Sequence, residues 1–204
     1  LTIDRIELAA KDTLGVYLKR PADYRFRAGQ YAIVRVKSGS SSWVRQYSFA
    51  SAPNDDNIEL LIQRAPGGSV SGWFFDTAKA GDSIELSQAF GNFIREDTDK
   101  PATFIAGKVG VAPFLSMLRT NEKNCQLLYC VREKSELCHQ EICDTSQVHY
   151  FVSSELSRMT TGDLKEVVER HELVYICGSK SFVDAITDSL NELGLPTELI
   201  RKEL

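Results

Sequence analysis

Apolar and polar residues alternate over residues 2–8, 15–19, 31–36, 44–49, 58–63 and 83–86. A period of two turns one face of a segment to a core and the other to water, which predicts strands. Turn chemistry separates them: Arg27-Ala28-Gly29, the serines of 38–42, Pro53 to Asn57, and Ala80-Gly81-Asp82. Six short strands at this spacing predict an antiparallel six-stranded barrel. One stretch breaks the alternation. Residues 69–78 follow Ala65-Pro66-Gly67-Gly68 and predict a helix.

From residue 102 the period changes. Apolar strands are predicted at 102–106, 126–131, 148–152 and 173–176, with helices at 114–119, 135–142, 162–170 and 180–193. A glycine-containing turn spans 107–113, Gly194 and Pro196 end the last helix, and 197–200 closes the pattern. Strand–helix alternation predicts a doubly wound parallel α/β unit. The change of period falls in the charged stretch 95–101, so the expected division is 1–98 and 99–204. Open α/β sheets bind ligands at the carboxyl ends of their strands, so the expected site is a cleft between the two units.

Composition narrows the function. With 204 residues, 43% hydrophobic and 25% charged, the chain can bury a core without disulfides. The first 98 residues balance their charges, so the whole net charge of −4 falls on 99–204. Neither half is basic, which points away from nucleic acid. No apolar run approaches the roughly 20 residues that span a bilayer. Residues 1–8 read as a strand rather than a leader, so neither an anchor nor secretion is expected. Cys125, Cys130, Cys138, Cys143 and Cys177 all fall in the second half, odd in number and without a C-x-x-C pair. A reduced, cytoplasmic compartment is the expectation. His139, His149 and His171 are scattered, and no metal site is expected.

Two segments carry candidate chemistry. In Arg45-Gln46-Tyr47-Ser48-Phe49-Ala50-Ser51, Arg45 and Tyr47 share one face of a strand. A guanidinium can grip a phosphate bidentately, and a tyrosine can stack on a flat ring. An ordinary barrel strand with an exposed arginine and a half-buried tyrosine fits the same residues. In Gly67-Gly68-Ser69-Val70-Ser71, glycines let backbone approach a ligand, and the following helix N-terminus suits a pyrophosphate. A simple N-cap by Ser69 or Ser71 is the plainer reading.

Together the two segments resemble the ferredoxin–NADP reductase-like family, and the resemblance extends from about Ile3 to Glu203. The first matches its R-x-Y-S-x-x-S flavin motif and the second its G-G-x-x-S element. Phe90-Gly91-Asn92-Phe93 resembles the G-x-F segment that ends the barrel. The resemblance implies that Arg45 holds the flavin phosphate, Tyr47 lies against the isoalloxazine, and Ser48 bonds near flavin N5. Gln46 and the run Gly67 to Ser71 join the cofactor site. The Ser51 ending favours FAD over FMN.

The nucleotide side also matches, with departures. Residues 106–113 resemble A-G-G-T-G-I-A-P, keeping Gly107, Gly110 and Pro113, but Lys108 replaces a glycine and Val109 a hydroxyl residue. A β-branched Val109 also resists positive φ. Lys108 reads either as a solvated loop lysine, the plainer choice, or as a charge for a pyrophosphate. Tyr129-Cys130-Val131-Arg132 resembles Y-G-x-R, which brings Arg132 to the adenosine side; a surface arginine beside Glu133 and Glu136 is the alternative. Cys177-Gly178-Ser179-Lys180-Ser181-Phe182 resembles C-G-P-x-x-M. It implies Cys177 beside the nicotinamide, Gly178 allowing close approach, and Phe182 in place of methionine. Ile200-Arg201-Lys202-Glu203-Leu204 resembles I-R-T-E-R-F, with Glu203 matching the carboxylate and the aromatic residue absent.

The implied activity is an enzyme that passes hydride from NADH or NADPH to FAD and single electrons to a redox partner, such as an iron–sulfur protein or domain. Tyr47, Ser48, Cys177 and Glu203 are its implied catalytic residues. Lys108 and Val109 motivate an alternative, a flavin-binding electron-transfer subunit that does not itself oxidise NAD(P)H. A non-catalytic module that retains the fold is a third reading. Arg132 and Arg158 would suit a 2′-phosphate and Glu155 would repel it, which tilts the donor toward NADH.

Overall fold

A computed structural model describes every residue except 97–99, 121–123, 144–146 and 171, together with the side chains of residues 142 and 143. The expected boundary after residue 98 and His171 therefore lie outside the described residues.

The first half holds β1 (Ile3–Ala10), β2 (Thr13–Lys19), β3 (Tyr31–Ser38), β4 (Ser41–Ser48), β5 (Asn57–Gln63), α1 (Ser69–Asp76) and β6 (Glu85–Leu86). The expected barrel is corrected to two three-stranded antiparallel sheets, ordered β1-β2-β5 and β4-β3-β6. Single bridges, Phe49 to Leu60 and Thr2 to Ser83, join them in place of a continuous ladder. The contacts between the sheets are short. Beyond the Phe49 bridge, the chain following β4 reaches β5 through Ala50 N–H donating to Glu59 carbonyl at 2.9 Å, and β6 has only two residues to pair. Between the sheets lies a core of aliphatic side chains around Phe49, which stacks on Phe26 at 4.1 Å. Each such fully buried side chain contributes about 1.5–3 kcal/mol.

The second half holds β7 (Ala102–Gly107), α2 (Ala112–Leu118), β8 (Cys125–Val131), α3 (Gln140–Cys143), β9 (Gln147–Val152), α4 (Thr161–Glu169), β10 (Leu173–Cys177), α5 (Lys180–Glu192) and β11 (Ile200–Glu203). Its strands form one parallel sheet, ordered β11-β10-β7-β8-β9. The order reverses between β7 and β10, the switch point of a doubly wound fold. β10 is buried along its whole length, as a parallel strand covered on both faces must be. Leu173, Tyr175 and Cys177 face the layer that holds α2, while Val174 and Ile176 face α4 and α5. No helix among the described residues is long and apolar enough to cross a membrane.

The helix expected over 135–142 is broken and retained only in its last part. A 3-10 turn at Lys134–Glu136 is closed by a Glu133/Glu136 capping box, and only Gln140–Cys143 is helical. Two tertiary contacts break it. Cys138 N–H donates to the buried Tyr129 hydroxyl at 3.2 Å, and His139 takes φ +50 to reach across to the first half.

His139 meets a buried carboxylate there. Glu59, on β5, is 1% exposed. It accepts from Tyr17 at 2.9 Å and lies 2.6 Å from His139 Nε2, and Arg119 donates to its other oxygen. Arg119 also donates to Ala50 carbonyl at 2.7 Å, and Ser116 Oγ donates to Ser51 carbonyl at 2.6 Å. Burial raises the Glu59 carboxyl, but His139 and Arg119 outweigh it and hold the group down at about 2. Burial lowers the His139 imidazole, but Glu59 and Glu141 hold it above its usual value of 6.5.

These opposite shifts set a pH window. Glu59 contributes its full stabilisation above 4.5 and loses it as pH falls toward about 2. His139 contributes fully below 6.5 and loses its share as pH rises through its raised value. The melting temperature is therefore expected to crest between these limits. Glu59→Gln should flatten the acid side of that profile. Removing one partner of a buried pair costs about 3–5 kcal/mol, and each kcal/mol lowers Tm by about 2–4 °C in a chain of this size. Thermal unfolding of both proteins across pH checks it; parallel profiles would contradict the assignment.

Candidate functional site

The two halves face each other across a cleft of about 860 Å³. One wall is the end of β4 with the turn before α1. The other is built from the carboxyl ends of β7, β8, β9 and β10, at the switch point of the sheet.

On the first wall, Arg45, Gln46, Tyr47 and Ser48 all line the cleft. Arg45 and Tyr47 share a face of β4, opposite Val34 and Ala32 of β3. Among the described residues, the Arg45 guanidinium makes no ion pair. Burial pushes the Tyr47 phenol up to about 12, against the opposing pull of Arg45, so it is neutral. The glycine turn contributes Gly68, Val70 and Ser71 to the lining, but not Gly67 or Ser69. Gly67 is required for its φ of +68. A Cβ on Gly68 would meet Ser71 Oγ at 2.7 Å. The expected serine cap is corrected: Gly68 precedes α1 with no side-chain bond to the helix. Ser71 Oγ instead accepts from Ala65 N–H at 3.1 Å and braces the turn, while Ser69 is exposed.

On the second wall, Gly107, Val109, Gly110, Pro113, Arg132, Cys177, Gly178 and Phe182 all line the cleft. The loop between β7 and α2 is a 3-10 turn, Lys108–Val111. Its positive φ, +50, belongs to Lys108, so the strain expected at Val109 does not arise. The glycines serve close packing. A Cβ on Gly110 would meet Cys177 carbonyl oxygen at 2.5 Å, and one on Gly107 or Gly178 would meet the Phe182 ring at 2.8 Å. Phe182 thus wedges against the ends of β7 and β10, a contact that residue types alone did not disclose.

The expected acid–base and thiol groups are placed as follows. Cys177 is buried, and burial, with Glu203 adding to it, pushes its thiol up to about 12. Cys130 is likewise pushed up to about 12 by burial. Both stay protonated. Glu203 does not line the cleft. It pairs with Cys177 across β10 and β11, and burial raises its carboxyl.

Arg132 is exposed on the cleft rim, while the carboxylates beside it are taken: Glu133 pairs with Lys11 and Glu136 with Lys108, each at 2.7 Å. Arg158, Met159, Thr160, Ser179 and Ser181 line the cleft as well. Glu155 does not, so the repulsion expected from it is not built into the wall. Among the described residues, Arg45, Lys108, Arg132 and Arg158 give the lining four cations, and no Asp or Glu lines it. In a chain of net charge −4 this is a locally positive surface, which favours anions.

Residues 2–94 match the family model for the oxidoreductase FAD-binding domain. Over nearly its whole length the chain is similar to ferredoxin reductase-like oxidoreductases. It is 30% identical to a flavohemoprotein of Bacillus subtilis, over 99% of this chain and 58% of that one. It is 29% identical to the naphthalene 1,2-dioxygenase system ferredoxin–NAD(P)(+) reductase component of Pseudomonas putida, over 98% of this chain and 66% of that one. Among solved structures, the Amycolatopsis cytochrome P450 reductase superposes with a TM-score of 0.84 at 26% identity, over 99% of this chain and 68% of that one. The chain thus spans about three-fifths to two-thirds of the length of these relatives.

Gly110→Ala tests the packing of this cleft. The added methyl meets backbone rather than a movable side chain, and such overpacking costs about 1–3 kcal/mol. A drop of several degrees in Tm is expected. Gly72→Ala, where a Cβ meets nothing closer than 3.8 Å and φ is not positive, serves as the unhindered reference. Equal losses in the two variants would remove the steric argument.

Proposed function

We propose that this chain is the FAD- and NAD(P)H-binding module of an electron-transfer flavoprotein, divided near residue 98 into a flavin unit (1–98) and a nucleotide unit (99–204). The observation that carries the reading is the cleft itself. The R-x-Y-S strand and the G-G turn form one wall, the G-x-x-G and Cys-Gly strand ends form the other, and among the described residues the lining holds four cations and no Asp or Glu side chain. A dinucleotide brings a diphosphate and flat rings, and this surface offers charge and apolar contact in matching places.

Acceptance of hydride from a nicotinamide and release of electrons one at a time are the chemistry a bound FAD supplies. The chain's own residues bind and orient. Arg45 grips flavin phosphate. Tyr47, neutral and half-buried, offers its ring face, and Ser48 its hydroxyl at the ring edge. Gly68, Val70 and Ser71 bring backbone close to the pyrophosphate, while Gly67 and Ser69 shape that turn from outside the lining. Gly107, Val109, Gly110 and Pro113 form the nucleotide floor, Arg132 meets the adenosine side, and Phe182 fixes the floor from below. Cys177 and Gly178 permit ring contact as small groups. A thiol held at about 12 is a packing surface rather than a nucleophile. Glu203 acts through its register position beside Cys177. Holding two rings in contact removes much of the entropic barrier to hydride transfer. Electrons leave to a redox partner protein or domain, an iron–sulfur centre being the first candidate, and the setting is cytoplasmic.

The test is a visible spectrum of the purified protein, reconstituted with FAD, followed by anaerobic NADH and then NADPH. Flavin absorbance that bleaches is the expected result, and the faster nucleotide identifies the donor. Absorbance that persists with both nucleotides would favour the electron-transfer subunit. A protein that takes up no FAD would overturn the reading. Arg45→Ala is expected to weaken FAD binding by about ten-fold or more, the size of a charge-assisted hydrogen bond, read as flavin lost on gel filtration. Full retention would contradict the role of Arg45.

A further inference from the structure

Of the four cations that line the cleft, Lys108 alone has an ion-pair partner among the described residues. Its Nζ lies 2.7 Å from Glu136 Oε1. The two carry the pair very unequally. Glu136 is fixed: its other oxygen accepts from the N–H groups of Arg132 at 2.8 Å and Glu133 at 3.1 Å, and its side chain is 13% exposed. Burial raises its carboxyl, yet Lys108 and those two N–H groups hold it below the usual range, so it is a carboxylate. Lys108 is movable: four methylenes carry the ammonium, and the side chain is 44% exposed.

The backbone makes the residue choice harder to dismiss. Lys108 sits at φ +50, where glycine is relaxed and an L side chain is not. What lysine adds is a charge on the cleft wall, beside Gly107 and Val109. Glu136 does not line the cleft. An anion in the cleft and Glu136 therefore draw on the same ammonium.

We propose that Lys108 is an exchangeable anion ligand for the diphosphate of a nucleotide in this cleft, with Glu136 as the built-in competitor that sets its strength. The inference rests on the nucleotide reading above. It makes a prediction that a merely structural ion pair does not. If the pair only braced the loop, removing either partner would weaken binding. If Glu136 competes, the two variants move affinity in opposite directions.

The experiment is calorimetric titration of the FAD-loaded protein with ADP-ribose, a redox-inert diphosphate, at low and at physiological salt. Lys108→Met is expected to weaken binding about ten-fold at low salt and to make it less salt-dependent. Lys108→Gly, which accepts the positive φ, should repeat that loss and separate charge from strain. Glu136→Gln keeps an oxygen for the two N–H groups and removes the competing charge; it is expected to tighten binding about three-fold or more. The double variant Lys108→Met with Glu136→Gln should match Lys108→Met alone, because the competitor has nothing left to compete for. Adenosine, which lacks the diphosphate, should bind all variants alike. Weaker binding in both single variants, or no change in either, overturns the proposal. Wild-type protein that binds neither ADP-ribose nor NAD(P)+ overturns the nucleotide reading and takes this proposal with it.

Discussion

Glu59 is a carboxylate almost sealed from water, and a buried charge is tolerated only when partners replace its hydration. Those partners come from both halves of the chain. Tyr17 belongs to the first, whereas Arg119 and His139 reach in from the second. Arg119 and Ser116 also hold the carbonyls of Ala50 and Ser51, which directly follow the Arg45–Ser48 strand. Ser116 lies in α2, and the loop that feeds α2 forms the facing wall. The walls are thus pinned from behind, and the satisfaction of one carboxylate fixes how far apart they stand.

Within the cleft the logic is electrostatic and steric. The second half carries the whole net negative charge of the chain, yet its contribution to the lining is cationic. The neighbouring carboxylates Glu133 and Glu136 are turned to Lys11 and Lys108. Burial keeps both cleft thiols protonated, so they add no negative charge. Close approach comes from absent Cβ atoms. Gly110 lies against the Cys177 carbonyl, and Gly107 and Gly178 lie against Phe182. An anion entering here meets charge that is already in place and backbone that is already near.

Much of this was legible in the residues. Alternation located the long strands of the first half, and the apolar runs located β7, β8, β9 and β10, because a period of two or a fully buried strand is a local property. Glycine and proline marked the turns for equally local reasons. The R-x-Y-S and Cys-Gly segments pointed to one cleft. The failures share a cause. Residues 135–142 have helical spacing, but Tyr129 claims the Cys138 N–H and Glu59, 80 residues away, claims His139; neither partner lies within the segment itself. The first half reads as six strands, but whether they close depends on single bridges at Phe49 and Thr2. Ser69 and Ser71 have the chemistry of caps, but the Ala65 N–H competes for Ser71.

By itself, then, the sequence determined the kinds of element, their order, the change from antiparallel to parallel architecture, and the segments that carry the chemistry. These follow from periodicity and from the conformational limits of glycine and proline, which act over a few residues. Only the tertiary structure decided which carboxylate is buried between the halves, which cations remain open to the cleft, and that Lys108 already holds a partner in Glu136. Those are properties of contacts between residues far apart along the chain, where desolvation and Coulomb energy depend on distance in space.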